Sequence, residues 1–214
     1  MKEMSRKAWL MRVVVILFTY HLSLITAYSQ ETPNERQAKR IFKTAYNHFY
    51  GKEGVSFSYK IDLLHIYKEE GTATYKGSKS KSQHKNTVIW DNGEDKYILR
   101  QNKKIVEWCD AKTNKQDDKL QKFKFYPDDF NYSIADDPEG LLVTLTAKSG
   151  AKGSMKKIQA LLSRGTYYPK RLRIKVTLFW ATITFANFQA GGIDDNTFNF
   201  PKEKYAGYKV IDKR

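Results

Sequence analysis

The segment Val55–Leu63 reads VSFSYKIDL, in which apolar and polar side chains alternate without a break. Successive side chains of a β-strand point to opposite faces of a sheet, so this order predicts a strand with one buried and one wet face. Similar segments follow at hairpin spacing, and no helical period separates them. That succession favours antiparallel pairing in one large meander over βαβ units, and a sheet of about ten strands tends to curl.

The other predicted strands share short runs of β-branched or aromatic residues bounded by polar turns. The turn signal Asp91–Gly93 separates two of them. Short helical turns are expected between Phe123 and Pro138, and a loop is expected over residues 110–119. The remaining strands are predicted at residues 71–80, 86–90, 97–99, 105–108, 141–146, 155–162, 172–179, 181–188 and 198–200.

One amphipathic helix is predicted early in the chain. Thr32-Pro33-Asn34-Glu35 has the form of a capping box, with Thr32 at the N-cap and Pro33 at the first helical position. Gly51 ends the helix. An apolar stripe with spacings of three and four would lie on the sheet, either as ordinary packing or as a moveable lid; it comprises Ala38, Ile41, Phe42, Ala45 and Phe49.

Residues 1–29 have the pattern of a secretory signal peptide. Basic residues precede the apolar run Val13–Ala27, and Ala27-Tyr28-Ser29 places small residues at the two positions that signal peptidase reads. The run is shorter than the ~20 apolar residues that a spanning helix needs, so an uncleaved anchor is the less favoured alternative. We therefore expect cleavage near Ser29, export of the protein, and a single domain over residues 30–214.

Motifs for metal binding or catalysis are not found in the sequence. His48, His65 and His84 are dispersed, and Cys109 is the only cysteine, so no structural metal site and no internal disulfide are expected. The chain lacks a G-x-S-x-G elbow, a P-loop and a Rossmann fingerprint. Adjacent carboxylates such as Asp194-Asp195 are better interpreted as turn formers. We expect no catalytic residue, no metal and no cofactor. An enzyme whose catalytic residues are distant in sequence and meet only in the folded chain is the alternative.

The formal net charge of +15 at pH 7 suggests three classes of partner: nucleic acid, an anionic membrane and an acidic protein. The basic residues are spread along the chain, and most alternate with apolar residues, as on the wet face of a strand. A protein that binds single-stranded nucleic acid would place aromatic side chains between cationic ones on one open face. Here Phe57 and Tyr59 alternate with Ser58 and Lys60. Nucleic acid is therefore not expected as a partner, and an exported polyanion-binding module is the less favoured alternative.

Four motifs follow one another in a recognisable order. Residues 71–77 read GTATYKG, residues 104–110 read KIVEWCD, and Tyr168–Leu172 reads YPKRL. The last motif is the strongest: Phe185-x-Asn187-Phe188 is followed, over residues 193–201, by two phenylalanines and a proline. Together these motifs resemble the strands and turns of the LolA family, periplasmic carriers that take lipoproteins toward the outer membrane of Gram-negative bacteria.

The resemblance implies an α+β fold, mostly β: a large curved antiparallel sheet forming an unclosed β-barrel, with an N-terminal helix and short helical turns as a lid. It implies a monomeric periplasmic chaperone that binds lipoprotein acyl chains in a hydrophobic cavity and ferries lipoproteins toward the outer membrane. Its partners would be acylated lipoproteins or lipids, an inner-membrane donor and an outer-membrane acceptor, and it would need no cofactor. An exported carrier or binder of another lipid or glycolipid is the alternative.

One stretch departs from the family pattern. The family commonly has Pro and Arg after its second strand, and the Arg links the barrel to the lid. Here residues 77–81 read GSKSK. Lys79 or Lys81 could take the place of the Arg, but lysine lacks the planar fork of arginine. The contact between barrel and lid, and the cargo, could therefore differ from those of the family.

Alternation along the strands selects candidate residues for the cavity that the resemblance implies. For each of them, ordinary core packing is the competing interpretation. The candidate lid underside comprises Ile41, Phe42, Ala45 and Phe49. The candidate lipid-binding residues are Phe57, Tyr59, Ile61, Leu63, Trp90, Leu99, Trp108, Val143, Leu145, Ile174, Val176, Ile183 and Phe185.

Overall fold

A computed structural model describes residues 31–63, 67–112, 126–152 and 154–214. The predicted signal peptide and its cleavage site lie outside the described residues, as do His65 and most of the loop predicted at residues 110–119. Residues Asn34–Arg214 form a compact unit, and the sheet described below belongs to it.

One α-helix and twelve strands make up the described chain, in the order α1 (Pro33–Tyr50), β1 (Val55–Leu63), β2 (Tyr67–Lys76), β3 (Lys79–His84), β4 (Thr87–Asp91), β5 (Asp95–Arg100), β6 (Ile105–Asp110), β7 (Phe130–Asp137), β8 (Gly140–Ala147), β9 (Met155–Leu162), β10 (Pro169–Val176), β11 (Phe179–Ala190) and β12 (Lys209–Asp212). Short 3-10 helices occupy Gln101–Lys103, Pro127–Asp129, Asp195–Phe198 and Lys202–Tyr205. Within the described ranges, no helix is long and apolar enough to cross a membrane.

All twelve strands form one sheet in the order β12-β6-β5-β4-β3-β2-β1-β11-β10-β9-β8-β7. Every neighbouring pair is antiparallel except β12 and β6, which are parallel. The sheet does not close into a barrel, and β7 and β12 are its two edges. The predicted fold class, mostly β with an unclosed sheet and an N-terminal helix, is thus confirmed, with one parallel pair as a difference.

Three details of the predicted strand order are wrong. The single strand expected over residues 71–80 is a hairpin of β2 and β3, because Gly77, at φ +58°, turns the chain within that stretch. The last strand was expected at residues 198–200, but Phe198 ends a 3-10 helix and is buried. Strands β7 and β12 were not predicted, because β7 lies in a stretch rich in turn-forming Asp and β12 has only four residues.

The register of the strands defines an inner face of the sheet. Directly paired residues point to the same side of a sheet. One row of such pairs crosses seven strands from β7 to β2, and its side chains are apolar until the last one. The row is Ile134, Val143, Ala160, Leu172, Ile183, Ile61 and Glu69.

Helix α1 lies against the inner face and is attached at both ends. Its buried residues Ala38, Ile41 and Ala45 pack against the inner side chains of β7, β8 and β9. At its start, the Asn34 side chain donates to the carbonyl of Ile134 (2.8 Å) and accepts from its N–H (3.0 Å). Those are backbone groups of edge strand β7, which such pairing protects from other strands.

At the other end of α1, His48 Nε2 lies 3.0 Å from the carbonyl of Thr166, in the connection between β9 and β10. The His48 ring also meets the Tyr168 ring edge to face at 5.0 Å. The helix is therefore held over the sheet by polar contacts at both termini as well as by its apolar stripe.

The outer face of β4, β5 and β6 is covered by the C-terminal segment, residues 191–208 between β11 and β12. Phe57, Ala73, Ser82 and Ile89 are paired in turn and share the inner face, so the next residue, Trp90, points outward. Its outward neighbours form a second buried cluster of Val88, Trp90, Tyr97, Leu99 and Val106. Phe200 closes this cluster by stacking on Tyr97, with ring centroids 4.6 Å apart, and by meeting Trp90 at 5.3 Å.

A bulge in the pairing of β1 with β11 explains part of the Phe185-x-Asn187-Phe188 motif. The register shifts between Ser56 and Ser58, and Asn187 opposite them has φ +53°. Asparagine tolerates this left-handed conformation better than most residues. Because the bulge breaks the alternation, Phe185 and Phe188 both reach Phe57, at centroid distances of 5.4 and 5.8 Å.

We expect Asn187→Val to lower the free energy of unfolding by about 1–2 kcal/mol, because a β-branched residue is strained at positive φ. Asn187→Gly should change it by only a few tenths of a kcal/mol. Both variants lose the Asn187–Ser58 hydrogen bond, so the difference between them isolates the backbone effect. Urea unfolding curves measure it, and equal stabilities of the two variants would contradict the assignment.

Candidate functional site

A cavity of about 700 Å³ lies between helix α1 and the inner face of the sheet, partly open to solvent. The C-terminal half of α1 forms one wall with Phe42, Ala45, Tyr46 and Phe49. The opposite wall is formed by residues of six strands and is mostly apolar. Strand β3 contributes polar residues, and the other five strands contribute Phe57, Tyr59, Ile61, Ala73, Tyr75, Ala160, Leu162, Pro169, Leu172, Ile183 and Phe185. A volume of this size is within the range of small-molecule sites, about 300–1,000 Å³.

Aromatic rings close the cavity where α1 ends. Phe49 of the helix meets Phe57, Phe185 and Phe188 edge to face, with centroid distances of 5.5, 5.8 and 5.3 Å. Edge-to-face pairs contribute about 0.5–1.5 kcal/mol each beyond the area they bury. The cluster therefore fixes the C-terminal end of α1 on β1 and β11, beside the cavity.

Polar side chains line the cavity along β2 and β3. Tyr59 of β1 donates a hydrogen bond to Glu69 Oε1 at 3.0 Å, and Tyr67 donates to Glu69 Oε2. Between Tyr59 and His84 lies Gly71, which is paired with both. A Cβ on Gly71 would come within 2.3 Å of the Gln83 carbonyl oxygen and 2.9 Å of the Tyr59 hydroxyl, so glycine is what lets the Tyr59 ring cross β2 toward Glu69.

Hydrogen bonding and burial shift the pKa values of these groups. The bond from Tyr67, and then that from Tyr59, hold the pKa of the Glu69 carboxyl below its usual value, against the opposing effect of burial. His84 adds to the lowering. Burial, followed by the bond to Glu69, raises the pKa of the Tyr59 hydroxyl well above its usual value. At neutral pH the cavity therefore contains a carboxylate held by two neutral phenols.

The site has few groups suited to metal or cofactor chemistry. Glu69 and His84 are the metal-ligating residue types in its wall. Throughout the described part of the chain, no group of three or more His, Cys, Asp or Glu side chains is arranged to hold a metal ion. What the arrangement can do is bind an apolar molecule and present it with a carboxylate, an imidazole and hydroxyls at one side.

Eight of the seventeen candidate residues come together around the cavity. They are the lid residues Phe42, Ala45 and Phe49 and the strand residues Phe57, Tyr59, Ile61, Ile183 and Phe185. Leu63 is on the same face as Ile61 but lies beyond the cavity and is 39% exposed. That these residues contact a ligand remains a prediction.

The other eight candidates are in protein cores and do not line the cavity. Trp90, Leu99 and Trp108 belong to the outer-face cluster beneath the C-terminal segment. The remaining five are Ile41 of α1 and four strand residues of the core beneath it: Val143, Leu145, Ile174 and Val176. A strand's alternation tells which of its residues share a face, but not which face of the sheet the cavity occupies.

Sequence reasoning missed the polar part of the wall. Glu69 lies in the first half of β2, and Ser82 and His84 lie in β3. At these positions polar residues occupy the inner face as well as the outer, so no apolar alternation marks them. Arg171 also lines the cavity and pairs with Glu139. The small lining residues Ala73 and Ala160 were missed because alanine carries little pattern, although both are buried.

Of the two lysines considered as substitutes for the family's arginine, Lys79 has its partner in the C-terminal segment and Lys81 has its partner in β4. Lys79 pairs with Asp195 Oδ2 at 3.4 Å, and Lys76 pairs with Asp195 Oδ1 at 3.1 Å. Lys81 lies over the Trp90 ring, 5.7 Å from its centroid. The two contacts with Asp195 join β2 and β3 to the C-terminal segment.

The depressed pKa of Glu69 makes a pH-dependent prediction. Its carboxylate stabilises the fold above the ordinary glutamate pKa, and that contribution is lost as the pH falls through the lower folded value. We expect Tyr59→Phe to lower the free energy of unfolding at pH 7 by no more than about 1 kcal/mol, since Glu69 is solvent-screened. The loss should shrink at about pH 3.

Urea unfolding of four proteins tests this coupling: the wild type, Tyr59→Phe, Glu69→Gln and the double variant. In the Glu69→Gln background, Tyr59→Phe should show no change of effect between the two pH values. The same pH dependence in both backgrounds would show that another group is responsible.

Comparison with known proteins gives a likeness of fold. No family model matches the chain, and no curated protein matches it. Among solved structures, an uncharacterized conserved protein from Thermus thermophilus matches with a TM-score of 0.55 and 7% identity, over 83% of this chain and 99% of that one. At this identity the match concerns the arrangement of the chain alone.

Two further solved structures have lower scores. The Mycobacterium tuberculosis lipoprotein LppX matches with a TM-score of 0.45 and 10% identity, over 75% of this chain and 100% of that one. A LolA superfamily protein from Nitrosomonas europaea matches with a TM-score of 0.36 and 8% identity, over 76% of this chain and 97% of that one. A LolA superfamily protein is thus among the solved structures to which this chain is similar.

Proposed function

We propose that this protein is an exported carrier that holds the acyl chains of a lipoprotein in the cavity beneath α1. The observation that carries the proposal is the cavity itself: about 700 Å³ of space between a helix and a mostly apolar sheet face. The signal-peptide pattern of residues 1–29 and the LolA-like motifs support it. The protein would act in the periplasm as a monomer with one domain over residues 30–214.

The physical reason for such a carrier is the cost of exposing lipid to water. Burial of an acyl chain is worth about 0.8 kcal/mol per CH₂ group, so a sixteen-carbon chain would cost on the order of 10 kcal/mol to expose. A carrier needs apolar space and a means of release, and it needs no catalytic group. Transfer from an inner-membrane donor to an outer-membrane acceptor would complete the cycle.

One feature favours a second candidate, a carrier of a free lipid or glycolipid. Glu69, His84 and Ser82 form a polar side to the cavity, and Tyr59 holds the Glu69 carboxylate in a fixed orientation. A few placed polar groups in an apolar pocket are the usual means of orienting a ligand. Such groups suit hydroxyl or amine donors of a headgroup or sugar.

Mass spectrometry of the protein, purified without detergent from its host, separates these functions. Stoichiometric acylated polypeptide supports the lipoprotein carrier, and stoichiometric free lipid or glycolipid supports the second candidate. If no lipid is bound and the protein instead binds heparin tightly, with a strong salt dependence, the polyanion-binding alternative is favoured.

Ile183 and Ile61 face each other across β11 and β1 in the cavity wall. We expect Ile183→Asp to weaken binding of a fluorescent fatty acid on the order of 100-fold, because a carboxylate in an apolar cavity costs several kcal/mol. Ile61→Asp, introduced separately, should have the same effect. Fluorescence titration measures it.

Ile105→Asp is the matched control. Ile105 is also half-buried on a strand, but it lies in β6 outside the cavity, between Arg100 and Lys209, which can accommodate a carboxylate. It should leave fatty-acid affinity unchanged. Circular dichroism verifies that each variant is folded, and wild-type affinity in folded Ile183→Asp and Ile61→Asp would refute the cavity as the binding site.

A further inference from the structure

The turn that joins β10 to β11 carries large apolar side chains that are exposed to solvent. Leu178 is 82% exposed and Phe179 is 52% exposed. Only Thr177, at φ +52°, and Leu178 separate the two strands. Two-residue hairpin turns favour Asn and Gly, so a nearly bare leucine at this position departs from turn chemistry. Such departures are expected where a surface has a function.

The exposed residues lie at one end of the sheet, next to the cavity. Ile61 and Ile183 line the cavity, and two residues further along the same strands Leu63 pairs with Ala181. Leu63 in turn pairs with Tyr67 of β2. Four of the seven exposed large apolar or aromatic side chains in the described chain are at this end: Leu63, Tyr67, Leu178 and Phe179. We call these four residues the apolar tip.

Cations flank the apolar tip on the outer face. Lys157 of β9 is directly opposite Lys175 of β10, and Lys175 is opposite Trp180 of β11. Like charges placed directly opposite each other destabilise a sheet. Among the described residues, neither lysine forms an ion pair. Arg173 lies over the Trp180 ring at 4.6 Å.

Carboxylates at this end are fewer and are mostly engaged. Glu70 pairs with Lys60 at 3.4 Å, and both oxygens of Glu69 accept hydrogen bonds from tyrosines. Asp62 is opposite Lys68 across β1 and β2. The outer side of the tip therefore presents Lys157, Lys175 and Arg173 as a positively charged flank.

We propose that the apolar tip docks on the surface of an anionic phospholipid bilayer. Leu178 and Phe179 enter the acyl boundary, and Lys157 and Lys175 meet the phosphate groups beside it. Apolar insertion next to basic residues is the combination that binds proteins at the bilayer interface, and tryptophan and tyrosine are enriched at that depth. The chemistry of the tip matches this partner in both its apolar and its charged parts.

Docking in this orientation would place the cavity beside the membrane. The tip is one step along β1 and β11 from the cavity wall, so an acyl chain would pass from bilayer to cavity over apolar residues. This consequence rests on the proposed carrier function, whereas docking itself does not. Two inserted side chains give reversible binding, as a protein that must leave again requires.

Co-sedimentation with vesicles tests the docking. Wild-type protein should bind vesicles of equal parts phosphatidylcholine and phosphatidylglycerol more tightly than vesicles of phosphatidylcholine alone. Leu178→Asp should lower the partition coefficient on the mixed vesicles by at least about tenfold. Lys157→Glu with Lys175→Glu should remove the preference for phosphatidylglycerol.

Val210→Asp is the matched control, because Val210 is 56% exposed on β12 at the far edge of the sheet; it should bind vesicles as wild type does. The proposal is overturned if wild-type protein binds neither vesicle, or if Leu178→Asp and Val210→Asp bind equally well. Fatty-acid titration of Leu178→Asp should give the wild-type affinity, which separates failure of docking from failure of the cavity.

Discussion

The rest of the structure depends on a mismatch between the helix and the sheet that it covers. A helix of 18 residues is about 27 Å long, whereas twelve strands side by side extend over roughly 50 Å. Asn34 and His48 hold α1 over β7 to β10, and Phe49 reaches β1 and β11. The inner face of β1 to β3 receives less of the helix, and the cavity opens there.

The part of the sheet that α1 does not reach, β4 to β6, is stabilised by the apolar cluster on its outer face. Trp90, Leu99 and their neighbours point to the outer face, and Phe200 and Tyr205 cover them. Asp195, which pairs with Lys76 and Lys79, holds this C-terminal segment across β2 and β3. Because each half of the sheet is packed from a different side, the strands between the two cores keep their inner face available for a ligand.

The composition of the cavity wall follows from the same arrangement. Strands β1, β9, β10 and β11 supply mostly apolar inner residues, whereas β2 supplies Glu69 as well as Ala73 and Tyr75, and β3 carries Ser82 and His84 inward. Polar groups are tolerated there because the cavity is open to water and Glu69 is hydrogen-bonded. The same wall ends at the apolar tip, so one surface offers a polar side, an apolar floor and an exposed apolar end.

The sequence by itself determined the fold class, the helix and most strands, because a period of 2 or 3.6 residues shows directly which side chains share a face. It also selected Phe57, Tyr59, Ile61, Ile183 and Phe185, which the structure brings together. Only the tertiary structure decided that the apolar sides of β4 to β6 face outward, where Trp90 and Trp108 are. The reason is that alternation within a strand is unchanged when the strand is turned over, so register and covering segments, separated by long stretches of chain, assign each face to core or cavity.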